Sequence, residues 1–167
     1  LRMQAICCGL QLEKVHKMID RVDTELEDKL EIAFDEKLGY LTACPSNVGT
    51  GMRASAMLHL PGLVMSDQIN KIINSVNKIG LAVRGLHGEG TEAMGNLFQV
   101  SNQTTLGETE SEIIGRLNRV IEQIIDHEQN ARALLAQRKA ITLHDQIGRA
   151  YGLLSHAYSI SSKEALN

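Results

Sequence analysis

The sequence contains no tryptophan, and aromatic residues make up only 3% of its 167 residues. Proteins that bind single-stranded nucleic acid stack bases on aromatic side chains, so this composition argues against that class. Positive charge is not in excess either: 17 Lys and Arg residues stand against 20 Asp and Glu residues, a formal net charge of -3. Because nucleic-acid-binding domains are usually basic, we expect no nucleic-acid partner.

Cysteines are few, and long apolar runs are absent. Three cysteines are too few, and odd in number, for a disulfide framework, which favours a reduced, cytoplasmic setting. The longest uncharged apolar stretch, residues 54–65, is interrupted by Pro61-Gly62. A helix that spans a bilayer needs roughly 20 apolar residues, so we expect no membrane segment.

The length predicts a single domain over residues 1–167, with a core of its own. The chain starts at Leu1 in a strand-like run, and Ser161 and Glu164 near its end have the spacing of a capping box that opens a helix. We therefore expect this domain to be truncated at both ends.

Apolar residues that recur every three or four positions predict four helices, over residues 12–33, 69–79, 113–138 and 142–154. Their expected caps are Ser66-Asp67 for the second, a Thr109/Glu112 capping box for the third and Thr142 for the fourth. Strands are predicted at residues 3–7, 40–43, 54–60, 81–85 and 97–102. Since helices do not separate all of these strands, an α+β fold fits better than a doubly wound α/β fold.

Two arginines lie beside glycine-rich segments that carry little other charge. Arg53 follows Gly49-Thr50-Gly51-Met52, and Arg84 opens the run 84–90. Glycines let backbone amides approach a ligand, and the guanidinium fork matches phosphate oxygens, so the two loops together can hold a polyphosphate. The alternative is two hairpin turns with one exposed arginine each.

Cys44 and Glu89 are the candidate reactive side chains. Cys44 has a hydroxyl two residues on, at Ser46, and an arginine nearby, a setting that can lower a thiol pKa. A small buried apolar residue is the alternative. Glu89 lies in a glycine-flanked loop where a carboxylate can accept a proton, although loop glutamates are often only solvated. The six histidines form no ligand cluster, and we expect no protein-bound metal site.

Together these residues resemble a known family. Residues 39–55, Gly-Tyr-Leu-Thr-Ala-Cys-Pro-Ser-Asn-Val-Gly-Thr-Gly-Met-Arg-Ala-Ser, are similar to the reactive-cysteine signature of the ATP:guanidino phosphotransferases, the phosphagen kinase superfamily. Arg84-Gly85 with Gly88-Glu89 resembles its second signature loop, and Leu1-Arg2 the end of a third. The run 88–96 and Ser101-Asn102-Gln103 are similar to the bacterial protein-arginine kinase branch.

The resemblance implies the C-terminal part of a catalytic domain, with an antiparallel sheet flanked by helices. It implies in-line transfer of the γ-phosphoryl of MgATP to a guanidinium nitrogen, with magnesium held through the nucleotide. The residues it assigns to ATP are Arg2, Arg53, Ala54, Ser55, Ala56, Met57, Arg84, Gly85, Leu86, His87, Gly88 and Glu89. Met57 and His87 depart from the family, which often has a histidine and an arginine at these two positions.

In that mechanism the resemblance makes Glu89 one of two carboxylates that orient the guanidinium and help to remove its proton. The other would precede Leu1. Cys44, as a thiolate favoured by Ser46, would hold the guanidinium electrostatically. We therefore expect the isolated chain to be weakly active or inactive, and its cut sheet edges to favour homo-oligomers.

The implied substrates are proteins with exposed arginines. The branch also implies a cytoplasmic stress-response setting, with a zinc-binding activator protein and the Clp unfoldase system as partners. Two alternatives stay open: a kinase of small guanidino compounds, and a non-catalytic module that binds a nucleotide or a partner.

Overall fold

The structure, a computed structural model, describes residues 1–85 and 93–166. The chain divides into two compact units. One comprises Leu1–Ala56 and Ser101–Val120, and the other comprises Met57–Val100 and Ile121–Asn167. Helices and short sheets are both present, so the predicted α+β class is confirmed. The single domain over residues 1–167 stays a prediction.

The secondary structure consists of helices and strands in mixed order along the chain. The helices are α1 (Leu12–Glu27), α2 (Pro61–Met65), α3 (Ile69–Lys78), α4 (Glu110–Arg138), α5 (Ala140–His156) and α6 (Ser162–Leu166). The strands are β1 (Phe34–Asp35), β2 (Gly39–Tyr40), β3 (Ser55–His59), β4 (Leu81–Gly85) and β5 (Leu97–Asn102). Strands β1 and β2 form an antiparallel hairpin, and the others form a three-stranded sheet in the order β3-β5-β4.

Strands β3 and β5 are antiparallel neighbours. The N–H of Leu60 donates to the carbonyl of Asn96 at one end, and the N–H of Asn102 donates to the carbonyl of Ala54 at the other. Along β5, half-buried and fully buried residues alternate, as they do in a strand that has one face in a core. The inward positions of β5 are Phe98, Val100 and Asn102.

In the unit of Leu1–Ala56 and Ser101–Val120, the first half of α4 supplies much of the core. The Thr109/Glu112 capping box forms as predicted: the Glu112 carboxylate accepts from the Thr109 N–H at 2.8 Å, and the Glu112 N–H donates to the Thr109 hydroxyl at 3.3 Å. Helix α4 then buries Ile113, Ile114 and Leu117 at steps of one, three and four.

In the unit of Met57–Val100 and Ile121–Asn167, the core forms from α3, the sheet and the second half of α4. Its buried apolar residues are Leu60, Leu63, Ile69, Ile73, Val76, Leu81, Phe98, Val100, Ile121, Ile124, Ala131 and Leu135. A second capping box opens α6, where the Ser161 N–H donates to the Glu164 carboxylate at 2.8 Å. The spacing of Ser161 and Glu164 predicted this helix start.

Several local predictions are wrong. Residues 3–7 form no strand, since a strand needs a neighbouring strand to complete its hydrogen bonds and this segment has none among the described residues. Helix α1 ends at Glu27, before the apolar period does. The residue that caps α3 is Gln68 instead of Ser66 or Asp67, and α5 starts at Ala140, so that Thr142 lies inside it.

Candidate functional site

A short loop presents Cys44 in the unit of Leu1–Ala56 and Ser101–Val120. Tyr40 and Gly49 close the base of this loop, because the Tyr40 N–H donates to the Gly49 carbonyl at 2.8 Å and the Gly49 N–H donates back at 3.3 Å. Between them, Pro45–Asn47 forms a single 3-10 turn with Cys44 as its N-cap residue. The loop therefore holds Cys44 at the start of a fixed turn.

The Cys44 thiol is exposed and bonded within this turn. Its Sγ lies 3.0 Å from the Ser46 Oγ, in a hydrogen bond in which either atom can be the donor. The pKa of Cys44 is lowered, first by the Ser46 hydroxyl, then by the Ser46 backbone N–H and, to a smaller extent, by the positive charge of Arg53. Each of these favours the thiolate. The pKa of Cys44 is thus lowered in the way that its sequence setting suggests, and the thiol is exposed instead of being a small buried apolar residue.

Arg53 lies on the same unit, just before β3, and its guanidinium is held by neutral oxygens. Nε donates to the Asn47 Oδ1 at 3.2 Å, and Nη1 donates to the Asn102 carbonyl at 3.1 Å. Neither partner carries a charge, so these bonds orient the guanidinium without neutralising it. The ion pairs among the described residues involve other arginines, Arg116, Arg132 and Arg149.

Residues 102–105 support both the Arg53 segment and the Cys44 loop. The fully buried Asn102 bonds the chain around Arg53. The Thr105 hydroxyl lies 3.1 Å from the Ser46 carbonyl and 2.8 Å from the Val48 carbonyl. The supporting role of these residues was not predicted, although Asn102 belongs to the run Ser101-Asn102-Gln103 that carries part of the family resemblance. A second sequence signal, for Asn102 alone, is a polar side chain that follows the inward period of Phe98 and Val100 along β5.

The other predicted nucleotide contacts are spread over both units. Arg2 is exposed near the start of the chain. Ala54 and Ala56 are half-buried, whereas Ser55 and Met57 are exposed, as expected from the alternation along β3. In the other unit, Arg84 is exposed and Gly85 half-buried at the end of β4. The predicted residues Leu86, His87, Gly88 and Glu89 lie outside the described residues. Hence the structure brings together Cys44, Ser46 and Arg53.

Arg53 is exposed and takes part in none of the ion pairs of the described residues, so its guanidinium can bind an anionic ligand such as the phosphates of ATP. Its Nε and one N–H of Nη1 are bonded to the protein, and a guanidinium has five N–H donors, so three remain that can donate to such a ligand. Within residues 1–85 and 93–166, no three His, Cys, Asp or Glu side chains are grouped to hold a metal ion. In the same residues, no helix is both long and apolar enough to cross a membrane.

Comparison with known sequences decides the family. The family described as ATP:guanido phosphotransferase, C-terminal catalytic domain, matches residues 1–131. The chain belongs to the ATP:guanido phosphotransferase family. A second description, protein-arginine kinase McsB C-terminal domain, matches residues 140–167 of this phosphotransferase chain. The two matches together cover nearly all of it, with the Cys44 loop and Arg53 in the first.

Curated relatives of this ATP:guanido phosphotransferase chain carry a more specific name, protein-arginine kinase. The relative from Halothermothrix orenii is 54% identical over 99% of this chain and 48% of its own length. The relative from Caldanaerobacter subterraneus subsp. tengcongensis is 51% identical over 98% of this chain and 49% of its own. The relative from Bacillus mycoides is 52% identical over 99% of this chain and 47% of its own length. The chain thus spans about half the length of these relatives.

Solved structures with similar folds are also guanidino kinases. A taurocyamine kinase from Schistosoma mansoni, with bound transition state analog components, has a TM-score of 0.61 and 31% identity over 72% of this chain and 16% of its own. Lombricine kinase has a TM-score of 0.58 and 31% identity over 72% of this chain and 33% of its own. The predicted phosphagen kinase fold is therefore confirmed for this ATP:guanido phosphotransferase chain.

Proposed function

We propose that the full-length protein transfers the γ-phosphoryl group of MgATP to a guanidinium nitrogen of arginine side chains in proteins. The observation that carries this proposal is the identity of 51–54% with protein-arginine kinases over 98–100% of the chain. The match of residues 140–167 to the McsB C-terminal domain supports the same branch. Protein substrates with exposed arginines are the partners that this activity requires.

The chain's own residues suit that reaction. Phosphoryl transfer depends mainly on positioning and on stabilising charge, since the phosphoryl group carries negative charge throughout. Arg53 presents an unneutralised guanidinium to the phosphates. We assign the same work to Arg2 and Arg84, and further nucleotide contacts to Ala54–Met57 and Gly85–Glu89. Bound ATP would supply the phosphoryl group, and Mg²⁺ would arrive on its phosphates.

The acceptor nitrogen needs help, because a free guanidinium is protonated at any physiological pH and is a poor nucleophile. We assign proton removal to Glu89, together with a second carboxylate. The exposed Cys44, whose thiolate Ser46 favours, would attract the substrate guanidinium and hold it in line with the phosphoryl group. Cys44 therefore acts by charge, and no covalent bond to sulfur is formed.

The cellular setting follows from the branch and is part of the proposal. A cytoplasmic protein-arginine kinase would act in the stress response, beside a zinc-binding activator protein and the Clp unfoldase system. Three free cysteines are consistent with a reducing compartment. Homo-oligomers belong to the same proposal, as does weak or absent activity of the 167-residue chain alone.

A small-molecule guanidino kinase is the second candidate, favoured by the 31% identity to taurocyamine and lombricine kinases. One experiment separates the two. The full-length protein is given radiolabelled ATP and Mg²⁺ with an unfolded protein, and in parallel with free arginine, and products are kept near neutral pH because the N–P bond is acid-labile. Label on protein arginine alone is the expected result.

Label on free arginine alone would move the function to the small-molecule candidate. Label on neither substrate would favour the non-catalytic module or point to a missing activator protein, and repeating the assay with the activator added separates these two. Two variants check the assigned roles: Glu89→Gln and Arg84→Ala should each lower the rate of transfer by ~10² or more, as the loss of a transition-state contact does. Cys44→Ser should cost less than Glu89→Gln, because Cys44 moves no proton.

A further inference from the structure

Asn102 is a buried side chain with every amide group bonded. It is the last residue of β5, and its side chain is fully buried. The Oδ1 accepts a hydrogen bond from the Ala54 N–H at 2.9 Å. The Nδ2 donates to the Met52 carbonyl at 3.0 Å and to the Thr104 carbonyl at 2.9 Å. One amide therefore holds the backbone on both sides of Arg53.

The backbone of Asn102 completes the arrangement. Its carbonyl accepts from the Arg53 Nη1 at 3.1 Å, and its N–H donates to the Ala54 carbonyl at 3.3 Å. The guanidinium is thus aligned by the same residue that fixes the chain from which it extends. From the other side, the Asn47 Oδ1 accepts from Nε at 3.2 Å. Two oxygens at fixed places leave the guanidinium plane little freedom to rotate.

We infer that Asn102 is a positioning residue, whose buried amide fixes residues 52–54 and thereby aims the Arg53 guanidinium at the phosphates of the nucleotide. This inference rests on the proposed function and goes beyond it, because Asn102 touches no substrate in that mechanism. A donor held in advance costs no reorganisation during the reaction, and a small misplacement of such a group lowers the rate by about 10². An apolar residue at position 102 would keep strand β5 but would no longer hold residues 52–54, so the Arg53 guanidinium would lose its fixed orientation.

The test is a double-mutant cycle in the full-length protein. Asn102→Ala is made in the wild-type protein and in the Arg53→Ala variant, and kcat and the Kd of MgADP are measured for all four. In the wild-type background Asn102→Ala should lower kcat at least about tenfold. In the Arg53→Ala background the same change should lower it less than about twofold, since the residue it acts through is gone.

The neighbouring Gln103→Ala is the matched control, because Gln103 is an exposed amide one residue along the chain. Its kcat should stay within about twofold of the wild type in both backgrounds. Thermal unfolding is recorded for every variant. If Asn102→Ala does not fold, Asn102→Ser replaces it, since a hydroxyl keeps one polar partner in the buried site.

The outcomes separate this inference from the proposed function. An equal loss of kcat from Asn102→Ala in both backgrounds would mean a structural role only and would overturn the inference while the kinase activity stands. A protein that binds MgADP but phosphorylates no arginine would refute the proposed function. The double-mutant cycle calculated from the Kd of MgADP would then decide the inference. Wild-type protein that binds no MgADP would overturn both.

Discussion

Replacing Glu128 should produce the largest loss of stability among the substitutions considered for this protein. Glu128 lies on α4 with 4% of its surface exposed. Its two carboxylate oxygens accept from the Gly62 N–H at 2.8 Å and from the Leu63 N–H at 2.9 Å, at the start of α2. Arg132 contributes a third partner, with Nε at 2.5 Å and Nη2 bonded to the His59 carbonyl at 3.2 Å.

The magnitude follows from what each substitution leaves unpaired. Glu128→Ala leaves two buried backbone N–H donors without an acceptor, at about 1–3 kcal/mol each, and removes the carboxylate that pairs with Arg132. The free energy of unfolding should therefore fall by about 3–5 kcal/mol. Glu128→Gln keeps one acceptor and points an amide N–H₂ at a backbone donor, so a loss of about 1–3 kcal/mol is expected. Arg132→Ala should cost under about 1.5 kcal/mol, since that side chain is 53% exposed.

Urea-induced unfolding of the full-length protein, followed by circular dichroism, measures these differences as shifts of the midpoint at constant slope. The control is Glu122→Ala, an exposed glutamate on the same helix, which should change stability by less than about 0.5 kcal/mol. A Glu128→Ala variant no less stable than Arg132→Ala would refute the reasoning, because it would show that the two α2 amides find other partners.

Three further predictions concern the Cys44 loop and the start of α4. Ser46→Ala should move the pH profile of Cys44 alkylation by iodoacetamide, read by mass spectrometry, to higher pH, because the hydroxyl that lowers the thiol pKa is lost; an unmoved profile would contradict this. Gly49→Ala should cost about 1–3 kcal/mol in urea unfolding, since φ is +109° there and a Cβ would overlap a facing carbonyl oxygen. Thr109→Ala should cost about 1 kcal/mol near neutral pH. Because the Thr109 N–H and hydroxyl lower the pKa of Glu112, the part of the difference that comes from the hydroxyl–carboxylate bond is present above the ordinary pKa of a glutamate and is lost as the pH falls through the lowered one. A pH-independent difference between this variant and the wild type would show that the carboxylate takes no part.

Much of the local structure was predictable, because its causes lie within a few residues of one another. The Thr109/Glu112 box and the apolar steps after it predicted α4 as far as Arg138, and its bounds are Glu110–Arg138. The predicted strands at residues 81–85 and 97–102 match β4 and β5. The predictions failed where a partner was needed: residues 3–7 have strand-like composition but pair with no strand among the described residues.

The candidate site divides in the same way. The motif around Cys44 and Arg53 could be recognised because its bonded residues are close in sequence. Cys44 and Ser46 are two positions apart, and Asn47 and Arg53 are six positions apart. The structural role of Asn102 could not be recognised, since its side chain meets Ala54 across 48 positions. A sequence shows which residues are polar at an inward strand position, and it does not show which backbone they face.

By itself, then, the sequence determined the capping boxes of α4 and α6, the strands β4 and β5, the Cys44–Ser46 pair and the family to which the chain belongs. Only the tertiary structure decided that Asn102 holds the chain around Arg53, and that Glu128 caps a helix 65 and 66 positions away. The physical reason is that caps and periodicity depend on contacts inside one turn or one strand. Buried polar groups, by contrast, must take the partner that the fold places beside them.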